Sequence, residues 1–360
     1  LTDVMYIELN DGALYVIGVL GPRALIGDGA SSTYATRPMR VDMSKWVPAV
    51  AAGVRVSSIA CGDTNVAVVM TDGTVYTAGS GAVGSGSSVT GRLCYQGATQ
   101  SIPRRVDMNT SYPVPMAGAR IVSAAIGTYH TVLVEAGGGV YACGDNTYGQ
   151  GGQRDTGYVL QVPTLVDART YQPTGSAGLK AVSVTATGST TLVTMDNGRV
   201  YGMGAQTGYV QGTGLQTGNV MVPTAIETEA WTQVADVVCS GIVCAGVVRS
   251  ASAGMLGPVV VEPPAAPPAG GVQTMWVWGD NTRGVTAQGT VQGMTMMPTG
   301  VTTTERLVDY AFTLTHGVGL GESGTLYGVG EVGTGKNGLV GSGTVSVLTR
   351  VVDGDRKSVV

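Results

Sequence analysis

A turn, an alternating strand and a closing glycine recur six times in this chain, and that recurrence limits its fold more than any other feature. The copies read Asp11-Gly-Ala-Leu-Tyr15-Val-Ile-Gly18, Asp72-Gly-Thr-Val-Tyr76-Thr-Ala-Gly79, Gly138-Gly-Val-Tyr141-Ala-Cys-Gly144, Asn197-Gly-Arg-Val-Tyr201-Gly-Met-Gly204, Met275-Trp-Val-Trp278-Gly279 and Ser323-Gly-Thr-Leu-Tyr327-Gly-Val-Gly330. The closing glycines stand 61, 65, 60, 75 and 51 residues apart. Asp-Gly and Asn-Gly between apolar alternations mark tight hairpins, because such turns need φ > 0 and glycine has no Cβ to clash there.

Other features keep the same step. Pro follows the closing glycine by 19 residues in three copies (Pro163, Pro223, Pro298) and by 20 and 24 in two more (Pro38, Pro103). A strand ending near glycine comes next in Val56–Gly62, Ile121–Gly127 and Val182–Gly188, with weaker copies in Ala235–Gly241 and Leu307–Phe312. Each unit then holds four short strands. Four antiparallel strands repeated six times predict an all-β chain, a β-propeller of six four-stranded blades forming one domain over residues 1–360. Leu1 takes the slot of Gly62, midway through a unit, and Val359-Val360 would begin the next inner strand, so the N- and C-terminal strands are expected to share a blade.

Composition agrees and narrows the partners. The chain carries 57 Gly and 15 Pro without a three-residue period, which disfavours long helices. Charged residues are 12%, net charge is −4 and mean hydropathy is +0.22, a balance that excludes wholesale disorder. The longest nearly apolar stretch, Val237–Val248, has 12 residues, too few for the roughly 20 a membrane helix needs. No basic run exceeds Arg104-Arg105, so neither nucleic acid nor membrane insertion is expected. The 5 Cys are an odd number without CxxC spacing; they read as small buried hydrophobes, with no metal and no cofactor implied.

The unit exceeds the roughly 40–50 residues of WD40 and kelch repeats and lacks their dipeptides. The run Ala125-Ile-Gly-Thr-Tyr-His130-Thr-Val-Leu-Val with Gly139-Val-Tyr141-Ala-Cys-Gly144-Asp-Asn-Thr-Tyr-Gly149-Gln-Gly instead resembles the repeat of the RCC1 (regulator of chromosome condensation) family. The resemblance runs along essentially the whole chain, is strongest over residues 50–205 and fades over 235–320. It implies a propeller of seven blades, whereas this sequence shows six. It also implies guanine-nucleotide exchange on a small GTPase, or chromatin docking, for which the chain offers no basic face or tail.

Several motifs imitate catalytic ones. Gly79-Ser-Gly81-Ala-Val-Gly84 spells GxGxxG, and Gly330–Asn337 misses a P-loop only where Asn337 replaces Ser or Thr. Both occupy the loop slot that follows a closing glycine, and neither precedes a helix that could hold a phosphate. Three residues after the glycine of the preceding strand the units carry Asn65, His130, Thr191 and Cys244, with His316 in the corresponding place of the sixth. One slot shared by such groups reads as a hydrogen-bonding position between blades. A nucleophilic pairing of Cys244 with His130 or His316 lacks an orienting residue. No enzymatic activity and no small-molecule substrate are expected.

Function in a propeller sits where the repeat is broken, because loops bind while blades pack. The Pro-rich insertion at about 250–273 contains Pro263, Pro264, Pro267 and Pro268. A second departure is an aromatic–Pro loop after the fourth strand in the first three units, carrying Trp46, Tyr112 and Tyr171. The third is an expanded loop, Val83–Ile102, with Arg92 and Tyr95. Aromatic and Pro-rich rims favour protein partners, though rings tucked against the next blade are an equal alternative. Low charge and scarce Lys lead to the expectation of a non-catalytic structural or interaction propeller. Such a protein would sit in a larger extracellular, cell-surface or viral particle assembly. The alternative is an RCC1-like regulator, exchange factor or scaffold for a small GTPase, in the cytoplasm.

Overall fold

The computed structural model describes residues 4–9, 13–19, 34–47, 53–84, 89–97, 99–155, 157, 159–166, 179–206, 211–213, 218–226, 236–240, 243–247, 272–291, 293–313, 315–332, 338–339 and 343–351. Among these the chain forms six antiparallel sheets, taken in sequence order. Blade 1 has β1 (Val4–Glu8), β2 (Leu14–Val19) and β3 (Tyr34–Arg40). Blade 2 has β4 (Val56–Cys61), β5 (Asn65–Met70), β6 (Val75–Gly79) and β7 (Gln100–Arg105), and blade 3 has β8 (Ile121–Ile126), β9 (His130–Glu135), β10 (Val140–Asp145) and β11 (Val159–Leu165). Blade 4 has β12 (Ala181–Thr187), β13 (Thr190–Met195), β14 (Val200–Gly204) and β15 (Val220–Ala225). Blade 5 has β16 (Asp236–Ser240), β17 (Val243–Val247), β18 (Val272–Asp280) and β19 (Met294–Thr303), and blade 6 has β20 (Leu307–Phe312), β21 (His316–Gly321), β22 (Leu326–Glu331) and β23 (Thr344–Arg350).

This is the expected all-β propeller of four-stranded blades. Blade 1 shows three strands among the described residues; the fourth, expected from Val359-Val360, lies outside them. The chain divides into two compact units, the first being Leu1–Met195, Tyr201–Ala205 and Asn219–Thr224, the second Asp196–Val200, Gln206–Gly218 and Ala225–Val360.

The six closing glycines all adopt positive φ: 121°, 104°, 97°, 113°, 107° and 95° at Gly18, Gly79, Gly144, Gly204, Gly279 and Gly330. Their reason is a close approach of backbone. A Cβ at Gly79, Gly144, Gly204 or Gly330 would stand 2.2, 2.4, 2.2 or 2.3 Å from the carbonyl oxygen of Thr64, Tyr129, Ser189 or Thr315. That same carbonyl accepts a hydrogen bond from the next amide, of Ser80, Asp145, Ala205 or Glu331, at 2.8–3.0 Å. Only glycine meets both the dihedral and the space.

The in-phase prolines have an equally local cause. In blades 1, 2, 3 and 5 the pairing of the third strand with the fourth slips just before the closing glycine. Pro38, Pro103, Pro163 and Pro298 each fall inside that irregularity, where the missing N–H breaks no ladder bond. Blade 6 has the same slip with Leu348 in the place of Pro. A second irregularity recurs at the start of the first strand, leaving Ser57, Val122, Val182 and Val308 bulged out of register. Val122 and Val182 are consequently exposed.

The core lies on the second and third strands. β5, β6, β10, β13 and β14 are buried at every residue. One cluster joins Leu14, Val16, Trp46, Val68 and Tyr76, and another joins Val69, Val75, Ile121, Leu133 and Tyr141, so blades 1 and 2, and blades 2 and 3, share their apolar faces. In the second unit Met275, Val277, Leu307, Tyr310 and Val329 do the same. Each such side chain contributes roughly 1.5–3 kcal/mol by leaving water.

A last repeated device links loops to blades. In the loop after the third strand one residue takes a left-handed conformation: Cys94 (φ 66°), Gly152 (67°), Gly212 (63°) and Ala287 (56°). It abuts the residue that precedes the closing glycine of the following blade. Gly152 lies against the Met203 sulfur, Gly212 against the Trp278 indole, and Cys94 is bonded to Cys143.

Candidate interaction surface

The expanded loop of blade 2 is built inward. Arg92 is 2% exposed, and its Nε donates to the Ser80 carbonyl at 3.1 Å. Its two terminal nitrogens donate to the Thr128 carbonyl and the Thr64 hydroxyl, and its guanidinium stacks 5.5 Å from the Tyr129 ring centre. Arg92 thus ties the turns of blades 2 and 3 together. Tyr95 is buried too; its hydroxyl donates to the Thr77 carbonyl at 3.1 Å, and Arg104 covers its ring at 4.7 Å. These two residues hold the loop. Among its described residues Val89, Gln96, Thr99 and Ile102 are exposed, Gln96 donating to Gln161 on β11 at 2.6 Å.

The aromatic–Pro loops of blades 1 and 2 begin alike and end differently. Asp42 accepts from the Ser44 amide and Asp107 from the Asn109 amide, capping a short 3-10 turn in each case. The Ser44 hydroxyl and amide bonding Asp42, and the Asn109 amide and side chain bonding Asp107, hold both exposed carboxyls below the usual carboxylate range. After the first turn Trp46 folds into the core and meets Tyr76 edge-on at 5.1 Å between ring centres. After the second, Tyr112 lies along the outer strand of blade 3: its amide donates to the Pro163 carbonyl at 2.9 Å and its carbonyl accepts from the Leu165 amide at 2.8 Å. The Tyr112 ring is left 64% exposed, beside Val114 at 62%. Tyr171, Pro263, Pro264, Pro267 and Pro268 lie outside the described residues. Among the described candidates, then, Trp46, Arg92 and Tyr95 are packing residues by position, and Tyr112 faces solvent.

The polar slot at the start of the second strand is partly a seam between blades. His130 is fully buried, with Nε2 2.8 Å from the Thr191 hydroxyl of blade 4, which itself donates to the Gln150 carbonyl at 2.8 Å. Burial holds the imidazole down to about 4, against a smaller opposing pull from Asp145. His316 instead bonds within its own turn, to Thr313 at 2.9 Å and Thr315 at 3.1 Å. Cys244 is joined to Cys239 and so offers no thiol to either histidine.

Sequence reasoning missed two things. The cysteines were expected to be isolated packing groups; four of the five form Cys94–Cys143 and Cys239–Cys244, leaving Cys61 unpaired. Spacing alone gave no hint of the first pair, because its members lie 49 residues apart on different blades. The second omission is Asp280-Asn281, a copy of Asp145-Asn146. Asn146 bonds to the Asp155 carbonyl and the Gly151 amide, and Asn281 to the Thr290 carbonyl and the Thr286 amide, so each Asn organises its loop from within. The signal, Gly-Asp-Asn-Thr after a closing glycine, was present twice. The apparent GxGxxG of residues 79–84 runs into a bridge between Ala82 and Thr90, and the P-loop look-alike at 333–337 lies outside the described residues.

Comparison with known proteins fits this geometry. Residues 121–150, blade 3 up to Gln150, match the regulator of chromosome condensation (RCC1) repeat. Protein pim1 of Schizosaccharomyces pombe is 30% identical over 154 residues, covering 41% of this chain but only 25% of that protein's length. Prp20p of Saccharomyces cerevisiae, in a structure described with its binding to Gsp1p and histones, superposes with a TM-score of 0.73 at 15% identity, covering 98% of this chain and 76% of that one. Human WBSCR16 gives 0.70 at 18% identity, covering 97% of this chain and 79% of that one. These matches correct the reading of a virion or cell-surface component. Low charge and a Gly-, Ser- and Thr-rich surface reflect how the blades are built, and they carry no address. With the RCC1 repeat in blade 3 and the same fold along nearly its whole length, the chain is an RCC1-like β-propeller.

Proposed function

We propose that this chain is an RCC1-like regulator that binds a small GTPase, as a nucleotide-exchange factor or as a scaffold. The observation that carries the reading is the fold match to Prp20p over 98% of the chain, Prp20p being described as binding Gsp1p. An intracellular location goes with it, as does a single propeller domain over 1–360. Histone or DNA docking is the weaker branch, since net charge is −4 and no basic run exceeds two residues. The contact surface is assigned to loops rather than blades, because loop substitutions change binding without unpacking a core. Tyr112 and Val114 are the described rim positions offered to a partner, with Tyr171 and Pro263, Pro264, Pro267 and Pro268 as further candidates.

Exchange is tested by following release of fluorescent GDP from purified Gsp1p-type GTPase with and without the chain. Acceleration of tenfold or more supports an exchange factor; binding without acceleration supports a scaffold. No binding in either nucleotide state would sink the proposal. Tyr112→Ala is expected to weaken binding by about 1–2 kcal/mol while leaving thermal stability unchanged, as for an exposed aromatic anchor. Trp46→Ala should instead cost about 3–5 kcal/mol of stability as a buried aromatic, measured by urea denaturation.

A further inference from the structure

The two disulfides are placed in opposite ways. Cys94 and Cys143 are both fully buried and join a loop of blade 2 to the central strand β10 of blade 3. Cys239 and Cys244 face each other directly in the β16–β17 hairpin, within one blade, and Cys239 is only half-buried while Cys244 is fully buried. The first bond crosses between blades and has no route to solvent. The second lies across a ladder that pairs Val238 with Ala245 and Ser240 with Val243 on either side of it, so that hairpin keeps its register without the bond.

We propose that Cys239–Cys244 is a thiol–disulfide exchange site for a dithiol reductant, whereas Cys94–Cys143 is a structural bond. The reductant's thiolate attacks Cys239 Sγ, the more accessible sulfur. The Cys239–Cys244 bond breaks, Cys244 leaves as a thiolate and takes a proton, and a mixed disulfide remains on Cys239. The reductant's second thiol resolves it, releasing the Cys239 thiol and closing the reductant's own disulfide. Two electrons pass to the protein and the dithiol is oxidised. In a reducing compartment the chain then holds one disulfide and three thiols: Cys61, Cys239 and Cys244.

The test is graded reduction of the folded full chain with dithiothreitol, alkylation of the thiols, and peptide mass spectrometry. The chain fully reduced in denaturant serves as the standard for complete labelling, and Cys61, unpaired from the outset, as the thiol that needs no reductant. Cys239 and Cys244 are expected to label at least tenfold faster than Cys94 and Cys143, while circular dichroism remains that of the folded protein. Cys239→Ala/Cys244→Ala should fold, lose the dithiol response and keep Cys94–Cys143. The proposal fails if both pairs open together and only on unfolding, if neither opens short of denaturant, or if Cys239 and Cys244 label before any reductant is added.

Discussion

Blades 3 and 6 share a backbone and differ in what fills it. Both bulge at the start of the first strand, both slip before the closing glycine, and those glycines have φ of 97° and 95°. Yet β9 reads His-Thr-Val-Leu-Val-Glu and is almost wholly buried, whereas β21 reads His-Gly-Val-Gly-Leu-Gly and alternates toward solvent. The leading His reaches the next blade in one and bonds to threonines of its own turn in the other. The blade is therefore specified by glycine and irregular pairing, and the side chains are free to diverge around that frame. This fits a family repeat matched at 121–150 within a fold that matches along 98% of the chain.

The comparison breaks most easily at its shared element. Gly144→Ala and Gly330→Ala should each cost about 4 kcal/mol, combining left-handed strain with a backbone clash. Urea denaturation of the two variants should give similar losses; a much smaller loss in blade 6 would show that its glycine frame is not equivalent.

The two histidines sharpen the difference. His130 has its pKa lowered to about 4 by burial, so the unfolded chain binds the proton first. The stability this group contributes is complete above about pH 6.5 and is lost as pH falls from there toward 4, by about 3 kcal/mol in all. His130→Asn, which borrows the residue found at Asn65, should flatten that slope in urea midpoints taken from pH 7 to 4.

The smallest effect belongs to proline. Pro163→Ala should cost about 1–2 kcal/mol, through added freedom of the unfolded chain together with the contacts of a buried ring. A small downward shift of the thermal midpoint checks it, with the slip itself kept, since blade 6 forms the same slip with Leu348 in place of Pro.

How far the sequence could be read follows from the same division. Features set by local backbone, such as Gly79, Gly144 and Pro163, were visible because turn and bulge chemistry restricts residue type at one position. Features set by the meeting of two distant segments were not. Whether Trp46 turns inward and Tyr112 outward depends on which surface each loop meets, and identical Asp caps cannot reveal it. The Cys94–Cys143 bond is of the same kind, whereas Cys239 and Cys244 became legible once β16 and β17 had a register.

The left-handed loop contacts have a bearing on synthesis. Each is donated by one blade and received by its successor: Gly152 waits for Met203, and Gly212 for Trp278. As the chain emerges from the ribosome, a newly made blade has its hairpins but its loop has nothing to lean on until 51 or 66 more residues have appeared in these two cases. Folding would then advance with a lag of one blade, the growing end always the least finished, and a stalled chain would expose that loop rather than its sheet.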